Sequence, residues 1–419
     1  MILYNLFPLL AGPVSTWTPH LERARSLGCD WVFVNPIQRP GFSGSLYSVG
    51  DYFALNPLLI EGGGGAAEAQ VRSMAARAHG LGLKLMVDLV VNHTAIDCTL
   101  TREHPEWYER EDGDIKRPYC IEDGKKVVWG DLAQLDWEHT PDPEGLYAYV
   151  RRVVQFLLDL GFDGFRCDAA YQVPGAVWKR LIADVRATHP NTVFSAETLG
   201  CTPEQTLATA QAGFDWVFNS VKWWDFESSW LLEQYDLIRP ECRSIAFPES
   251  HDTPRLWEEA RGNEAEVKQR YLMAAVFSAG LMLPMGLEFG FRKKPHVVDT
   301  RPSDWEKPSA DLQKWLAAVH HMKCSERVFR EEGPIELLWS DNPRVMILRK
   351  TSLDRGQQAV LLLNKDVHGR QAVTTESLHR WLPSGAKVRC VSPENPMSQV
   401  AEPFHYELRP GEAVVLVAG

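Results

Sequence analysis

The feature that most constrains this chain is a rhythm. Short, apolar, β-branched runs alternate with longer helical stretches along most of its 419 residues. Eight runs read as strands: ILYNLFP from Ile2, WVFVNP from Trp31, LKLMVDLVVN from Leu83, GFRCD from Gly164, TVFSAE from Thr192, DWVFNS from Asp215, SIAFPE from Ser244 and LMLPMG from Leu281. Between most of them lie segments with helical spacing, such as WTPHLERARSLG, AAEAQVRSMAARAHGLG and PEGLYAYVRRVVQFLLDLG, the last preceded by Asp142 as a cap. PGAVWKRLIADVRATHP, TPEQTLATAQAG and NEAEVKQRYLMAAVFSAG continue the alternation. The pattern predicts an α/β fold, a (β/α)8 TIM barrel. An open doubly wound sheet would carry a glycine-rich phosphate loop after its first strand, and none is present. The Gly62–Gly65 run follows no clear strand and reads as a turn before a helix.

The texture changes near residue 330. RVMILRKT, QAVLLLNK, KVRCVS, FHYELRP and EAVVLVAG are strand-like runs separated by turn residues, with no strong helix pattern. The expected organisation is a catalytic barrel over 1–330 and a small C-terminal antiparallel β domain, sandwich-like, over 331–419. An enlarged loop of about 94–143 follows the third strand, and another runs from about Phe291 to Ser309. Long loops at the C-terminal ends of barrel strands usually build the site.

Composition narrows the partners. With 44 basic and 55 acidic residues the net charge is −11, so bulk attraction to nucleic acid or an anionic membrane is not expected. No uninterrupted apolar segment of 18 residues exists, which argues against a membrane span. The N-terminal MILYNLFPLLAGPVST lacks a basic stretch before its apolar run and reads as a first strand rather than a signal peptide. Eight scattered cysteines, with no zinc spacing, fit free thiols in a cytoplasmic protein.

The polar residues that end the strands carry the chemistry. The third strand ends in Asp88 and then Asn92-His93, the fourth in Arg166-Cys167-Asp168, the fifth in Glu197, and the seventh in Glu249 and then His251-Asp252. A cluster of carboxylates with one arginine suits glycosidic bond cleavage. One carboxylate attacks the anomeric carbon or activates water, a protonated partner serves the leaving oxygen, and the arginine keeps the first ionised. On position alone, a buried salt-bridge network at the barrel mouth accounts for the same residues equally well.

These segments resemble the motifs of the α-amylase family, glycoside hydrolase family 13: DLVVNH (Asp88–His93), GFRCD (Gly164–Asp168), Ala196-Glu197, and SHD (Ser250–Asp252), where the family usually has Asn-His-Asp. YSVGDYFALNP (Tyr47–Pro57) resembles the family's stretch after strand two. The resemblance implies Asp168 as nucleophile, Glu197 as general acid and then base, and Asp252 as a ligand of sugar hydroxyls that favours the transition state. It implies Arg166 holding the nucleophile, His93 and His251 bonding the sugar, and Tyr47 stacking on it. The implied activity is a retaining glycosidase or transglycosylase on α-1,4-linked glucans or malto-oligosaccharides. Family members that have lost catalysis usually lack one of the three carboxylates, so a carbohydrate-binding non-enzyme is a remoter reading.

EFGFRKKPHVVDTRPSDWE (Glu288–Glu306), YNLFP and FVNPIQRPGFSGS also resemble bacterial maltosyltransferases that use maltose 1-phosphate, although this chain is much shorter. In that group an Asn follows the nucleophile and a Lys-Lys-Tyr segment lies in the strand-three loop. Here Ala169 and Lys125-Lys126-Val127 stand instead. WGDLAQLDW (Trp129–Trp137) resembles the loop of ordinary amylases, which favours hydrolysis or transglycosylation with maltose 1-phosphate chemistry as the alternative. Arg292, Lys293 and Lys294 form a dense basic run that suits either a phosphate contact or a solvated surface. No organic cofactor is implied. Some amylases bind Ca2+ here, for which Asn92, Asp131 and Asp136 are the candidate ligands.

Overall fold

In the computed structural model, residues 1–62, 66–122, 125–394 and 396–419 are described. Gly63–Gly65 of the glycine run and Asp123-Gly124 beside the lysine pair lie outside them.

All eight expected runs form strands: β1 (Ile2–Leu6), β2 (Trp31–Val34), β3 (Lys84–Leu89), β4 (Gly164–Cys167), β5 (Val193–Ala196), β6 (Trp216–Phe218), β7 (Arg243–Ala246) and β8 (Gly280–Pro284). Each pairs in parallel with its sequence neighbours, and β8 pairs with β1 to close the barrel.

Alternation along the strands sorts their side chains. One set, including Ile2, Tyr4, Val32, Val34, Leu85 and Val87, joins the apolar cluster shared with the helices. The other set fills the barrel: Leu3, Trp31, Phe33, Met86, Trp216, Phe218, Ile245, Phe247 and Met282. Two residues further along, the second set turns polar, Leu3 giving way to Asn5, Phe33 to Asn35, and Met86 to Asp88. The barrel therefore has an apolar floor and a polar mouth at its C-terminal end. At Gly164 an added Cβ would lie 2.6 Å from the Val193 carbonyl oxygen, so glycine lets β4 approach β5 below Arg166.

The six expected helices are present, over Thr18–Ser26, Ala66–Gly80, Pro143–Asp159, Gly175–Arg186, Pro203–Ala210 and Glu264–Phe277. Asp142 caps the third, accepting from the Gly145 N–H at 3.0 Å. Two further helices, Trp230–Ile238 and Gln313–Ser325, complete the ring. The enlarged loop is not irregular: it holds short antiparallel pairs joining 93–95 to 132–134, 110–111 to 114–115, and 119–122 to 125–128.

Beyond the barrel stand β9 (Ile335–Leu338), β10 (Val345–Thr351), β11 (Gln358–Asn364), β12 (Gln371–Thr375), β13 (Val388–Cys390), β14 (Phe404–Leu408) and β15 (Ala413–Ala418). An antiparallel sheet runs β9-β10-β11-β15-β13, and β12 pairs with β14. Both faces of the larger sheet are covered. Met346, Leu348, Leu361, Leu363, Val415 and Val417 join the barrel's cluster. Val345, Ile347, Val360, Leu362, Val414 and Leu416 pack instead with Trp381, Phe404 and Leu408. Among the described residues, no helix is long and apolar enough to cross a membrane. Cys29, Cys98, Cys167 and Cys242 are buried free thiols, Cys201 and Cys390 are half-buried, and Cys324 is exposed.

Candidate active site

The seven expected site residues come from five strand ends and their loops, and the structure gathers them at one mouth. Arg166, at 4 % exposure, is the hub. Its Nη1 donates to Asp168 Oδ1 at 2.6 Å and to Asp88 Oδ1 at 2.8 Å. Asp88 in turn accepts from the Tyr47 hydroxyl at 2.7 Å, and that hydroxyl lies 2.7 Å from His251 Nε2. His251 Nε2 is 3.0 Å from Asp252 Oδ2. The Tyr47 and His251 rings are parallel, 5.4 Å apart. His93 donates from Nε2 to the Tyr47 carbonyl at 3.0 Å. The Nδ1 atoms of both histidines are buried without a partner.

Glu197 differs from the rest. Among the described residues it makes no ion pair. Its carboxyl is held by two backbone groups, the Ala169 N–H on Oε2 at 2.9 Å and the Leu199 N–H on Oε1 at 2.6 Å. Ala169 adopts a left-handed conformation, φ +40°, at the turn that carries its N–H. Phe33, Arg166, Glu197, Leu199, Phe218, Phe247, Ser250, His251, Asp252 and Met282 share one small cavity of about 270 Å3.

Electrostatics separates the carboxyls. Burial raises Glu197 to about 7; Arg166 opposes the rise and the charge of Asp168 adds to it. Burial likewise raises Asp88 to about 6 against the pull of Arg166. The Asp252 side chain is exposed at the rim; crowding by the surrounding protein works upward, but His251, then Arg166 and Lys294, hold the carboxylate well below its usual range. Burial lowers His93, with the charge of Asp168 opposing. A group kept ionised beside one able to hold a proton near neutral pH is an acid–base arrangement.

Polar residues beyond the expected set shape the mouth. Asn5 donates to Asn35, and Asn35 to the Tyr47 hydroxyl, at 3.0 and 2.9 Å. The buried pair Glu249–Arg255, 2.8 Å, braces the turn carrying His251 and Asp252; Glu249 also accepts the Leu256 N–H and Arg255 donates to the Lys293 carbonyl. Glu249 is visible in the sequence as a strand end, whereas its partner six residues on is not. The basic run divides. Arg292 faces Glu258 and Lys293 pairs with Asp304, whereas Lys294 donates to the Asp252 carbonyl at 2.7 Å and so stands at the rim. Lys126 lies 4.3 Å from the centre of the Tyr119 ring.

For Ca2+ the fit is partial. Asn92 Oδ1 is buried without a partner, as a ligand oxygen would be, while its amide donates to Gln172. Asp136 Oδ1, however, accepts from the backbone of Glu138 and His139. Among the described residues, the acidic and histidine side chains grouped closely enough to hold a metal are His104, Glu106 and Asp142, a group that includes none of these candidates.

The chain is similar to several known proteins. Residues 2–112 match the model of the glycogen debranching enzyme glucanotransferase domain. The α-1,4-glucan:maltose-1-phosphate maltosyltransferase of Burkholderia pseudomallei is 27 % identical over 401 residues, covering 91 % of this chain and 34 % of that protein. The enzyme of the same name from Arcanobacterium haemolyticum is 30 % identical over 64 % of this chain and 40 % of its own length. The chain thus spans well under half of either relative. A crystal structure of an α-amylase from Lactobacillus plantarum superposes with a TM-score of 0.78 at 22 % identity, covering 99 % of this chain and 98 % of that one. In fold the chain matches the α-amylases, and in sequence it is similar to the maltosyltransferases.

Proposed function

We propose that this chain is a retaining glycosidase or transglycosylase acting on α-1,4-linked malto-oligosaccharides through a covalent glycosyl-enzyme. The observation that carries the reading is the contrast between two carboxyls in one mouth: Asp168 in contact with Arg166 at 2.6 Å, and Glu197 without a cation partner among the described residues and raised to about 7. A purely structural ion network would pair every carboxyl.

In the first step Asp168 attacks the anomeric carbon as the bond to the leaving oxygen breaks, and Glu197 gives that oxygen its proton. In the second, water or a sugar hydroxyl attacks the same carbon, Glu197 takes the attacking group's proton, and Asp168 is released as carboxylate. Arg166 holds and aims Asp168. Asp252, His93, His251 and Tyr47 bind the sugar, Asp252 through its hydroxyls. A cytoplasmic site of action belongs to the proposal, supported by the free thiols among the described residues.

Maltose 1-phosphate as the donor is a second reading. It is favoured by the relatives of that name, one of which aligns over 91 % of the chain. Ala169 and Val127, where that group carries Asn and Tyr, weigh against it. Chromatography of products from maltoheptaose, with and without inorganic phosphate, separates the two. Shorter and longer oligosaccharides without phosphate support the first reading. Maltose 1-phosphate formed only with phosphate supports the second. No product in either tube would overturn both.

A further inference from the structure

Adjacent tryptophans after β6 point in opposite directions. Trp224 is fully buried, its Nε1 donating to the Ser228 carbonyl at 2.8 Å. Trp223 is 51 % exposed. A single exposed indole is ordinary on a protein surface, so its meaning rests on what holds it and what it faces.

The exposed ring is held in place. Lys222 Nζ pairs with Glu259 at 2.6 Å and donates to the Pro248 carbonyl at 3.3 Å, which ties the segment to the loop after β7. The Trp223 ring meets Phe247 edge-on, with centroids 6.0 Å apart and an interplanar angle of 89°. Phe247 belongs to the cavity wall that includes Glu197 and Asp252, and Phe218 beneath it makes a second edge contact at 6.1 Å. Thr198, next to Glu197, donates to the Phe218 carbonyl at 3.1 Å. A continuous aromatic path thus runs from the cavity holding Glu197 to the outer face of Trp223.

We propose that Trp223 is a stacking platform for a sugar ring on the leaving-group and acceptor side of the cleft. This rests on the reading of Glu197 as acid and base. Tyr47 and His93 are bonded to each other and Tyr47 to Asp88, on the β2 and β3 side of Arg166, whereas Glu197 is held by the Ala169 and Leu199 N–H groups of the loops after β4 and β5. The oxygen served by Glu197 therefore lies toward β5 and β6, where Trp223 is a large exposed ring on a pinned segment. The apolar face of a pyranose fits an indole, and the edge-on Phe247 leaves the ring's faces free. The platform recognises a malto-oligosaccharide acceptor by shape and favours its hydroxyl over water at the glycosyl-enzyme.

The test uses α-maltosyl fluoride as donor and maltohexaose as acceptor, comparing wild type, Trp223→Ala and Trp223→Phe. Fluoride release gives total turnover, and chromatography gives transfer products. Trp223→Ala is expected to raise the acceptor KM and lower the transfer-to-hydrolysis ratio, each about tenfold, the size of one aromatic stacking contact. Trp223→Phe is expected to stay within about threefold of wild type, since it keeps a ring. Unchanged acceptor KM and ratio in the alanine variant would overturn the platform. Equal losses of transfer and hydrolysis would also overturn it, showing a structural role instead. Failure of the wild type to release fluoride would sink the active-site reading itself, an outcome visible before any variant is compared.

Discussion

Asp168, Glu197 and Ala169 concentrate the residue-scale consequences. Asp168→Asn is expected to lower kcat at least about a thousandfold with the fold intact, because the nucleophile is lost while its volume is kept. Near-normal kcat with an unchanged circular dichroism spectrum would refute its role. Glu197→Gln should depress turnover of maltoheptaose far more than turnover of maltosyl fluoride, whose leaving group needs little protonation. For wild type, kcat/KM should decline above about pH 7 as Glu197 loses its proton. The same group has a stability signature. Its native pKa exceeds the unfolded value, so the native state binds more protons between about pH 4.5 and 7, and stability falls as pH rises through that window. Glu197→Gln removes the penalty and should be more stable than wild type at pH 8, by something on the order of 2 kcal/mol, with no gain at pH 4. Denaturant melts at the two pH values check this. Ala169 sits where asparagine is tolerated better than alanine, so Ala169→Asn should raise stability by up to about 1 kcal/mol.

At the scale of elements, Asp142 shows how the enlarged loop is joined to the barrel. One oxygen caps the helix Pro143–Asp159, and the other accepts from Trp107 Nε1 at 3.1 Å. Asp142→Ala should therefore cost about 2 kcal/mol, the upper end for a cap, measured as a shift in the denaturation midpoint. All eight barrel strands were legible because each is a short apolar run set off from its neighbours by turn residues or a helical stretch. The helix Trp230–Ile238 was not, although Leu231, Tyr235 and Ile238 are buried at helical spacing, because the exposed Trp230 and Leu237 blur the stripe. In Gln313–Ser325 the reverse holds: His320 and Lys323 read as a solvent face yet are buried. The pairs inside the enlarged loop are only two to four residues long, too short for any period to show. At the site, residue types at strand ends were readable, but bonds such as Tyr47–His251 join positions 204 apart and exist only once the barrel closes.

For the whole molecule, the join between barrel and sheet decides how it melts. Lys323 Nζ donates to the carbonyls of Ala275, Ser278 and Phe329, and Lys350 of β10 donates to that of Phe277. Glu332 accepts the N–H groups of Ser244 and Ala279, and Arg389 of β13 forks onto Glu326. With one face of the larger sheet inside the barrel's own apolar cluster, calorimetry should show one transition rather than two. Two separated transitions would mean that the shared face contributes little. Lys323→Met should cost about 3 kcal/mol, because buried carbonyls lose their donor. The doubly covered sheet also governs what genetic exchange can do. A recombination event that replaces the segment after residue 330 must bring in a sheet whose alternate residues match two different surfaces at once. The C-terminal unit is therefore an inherited companion of this barrel and not a module that can be traded between relatives.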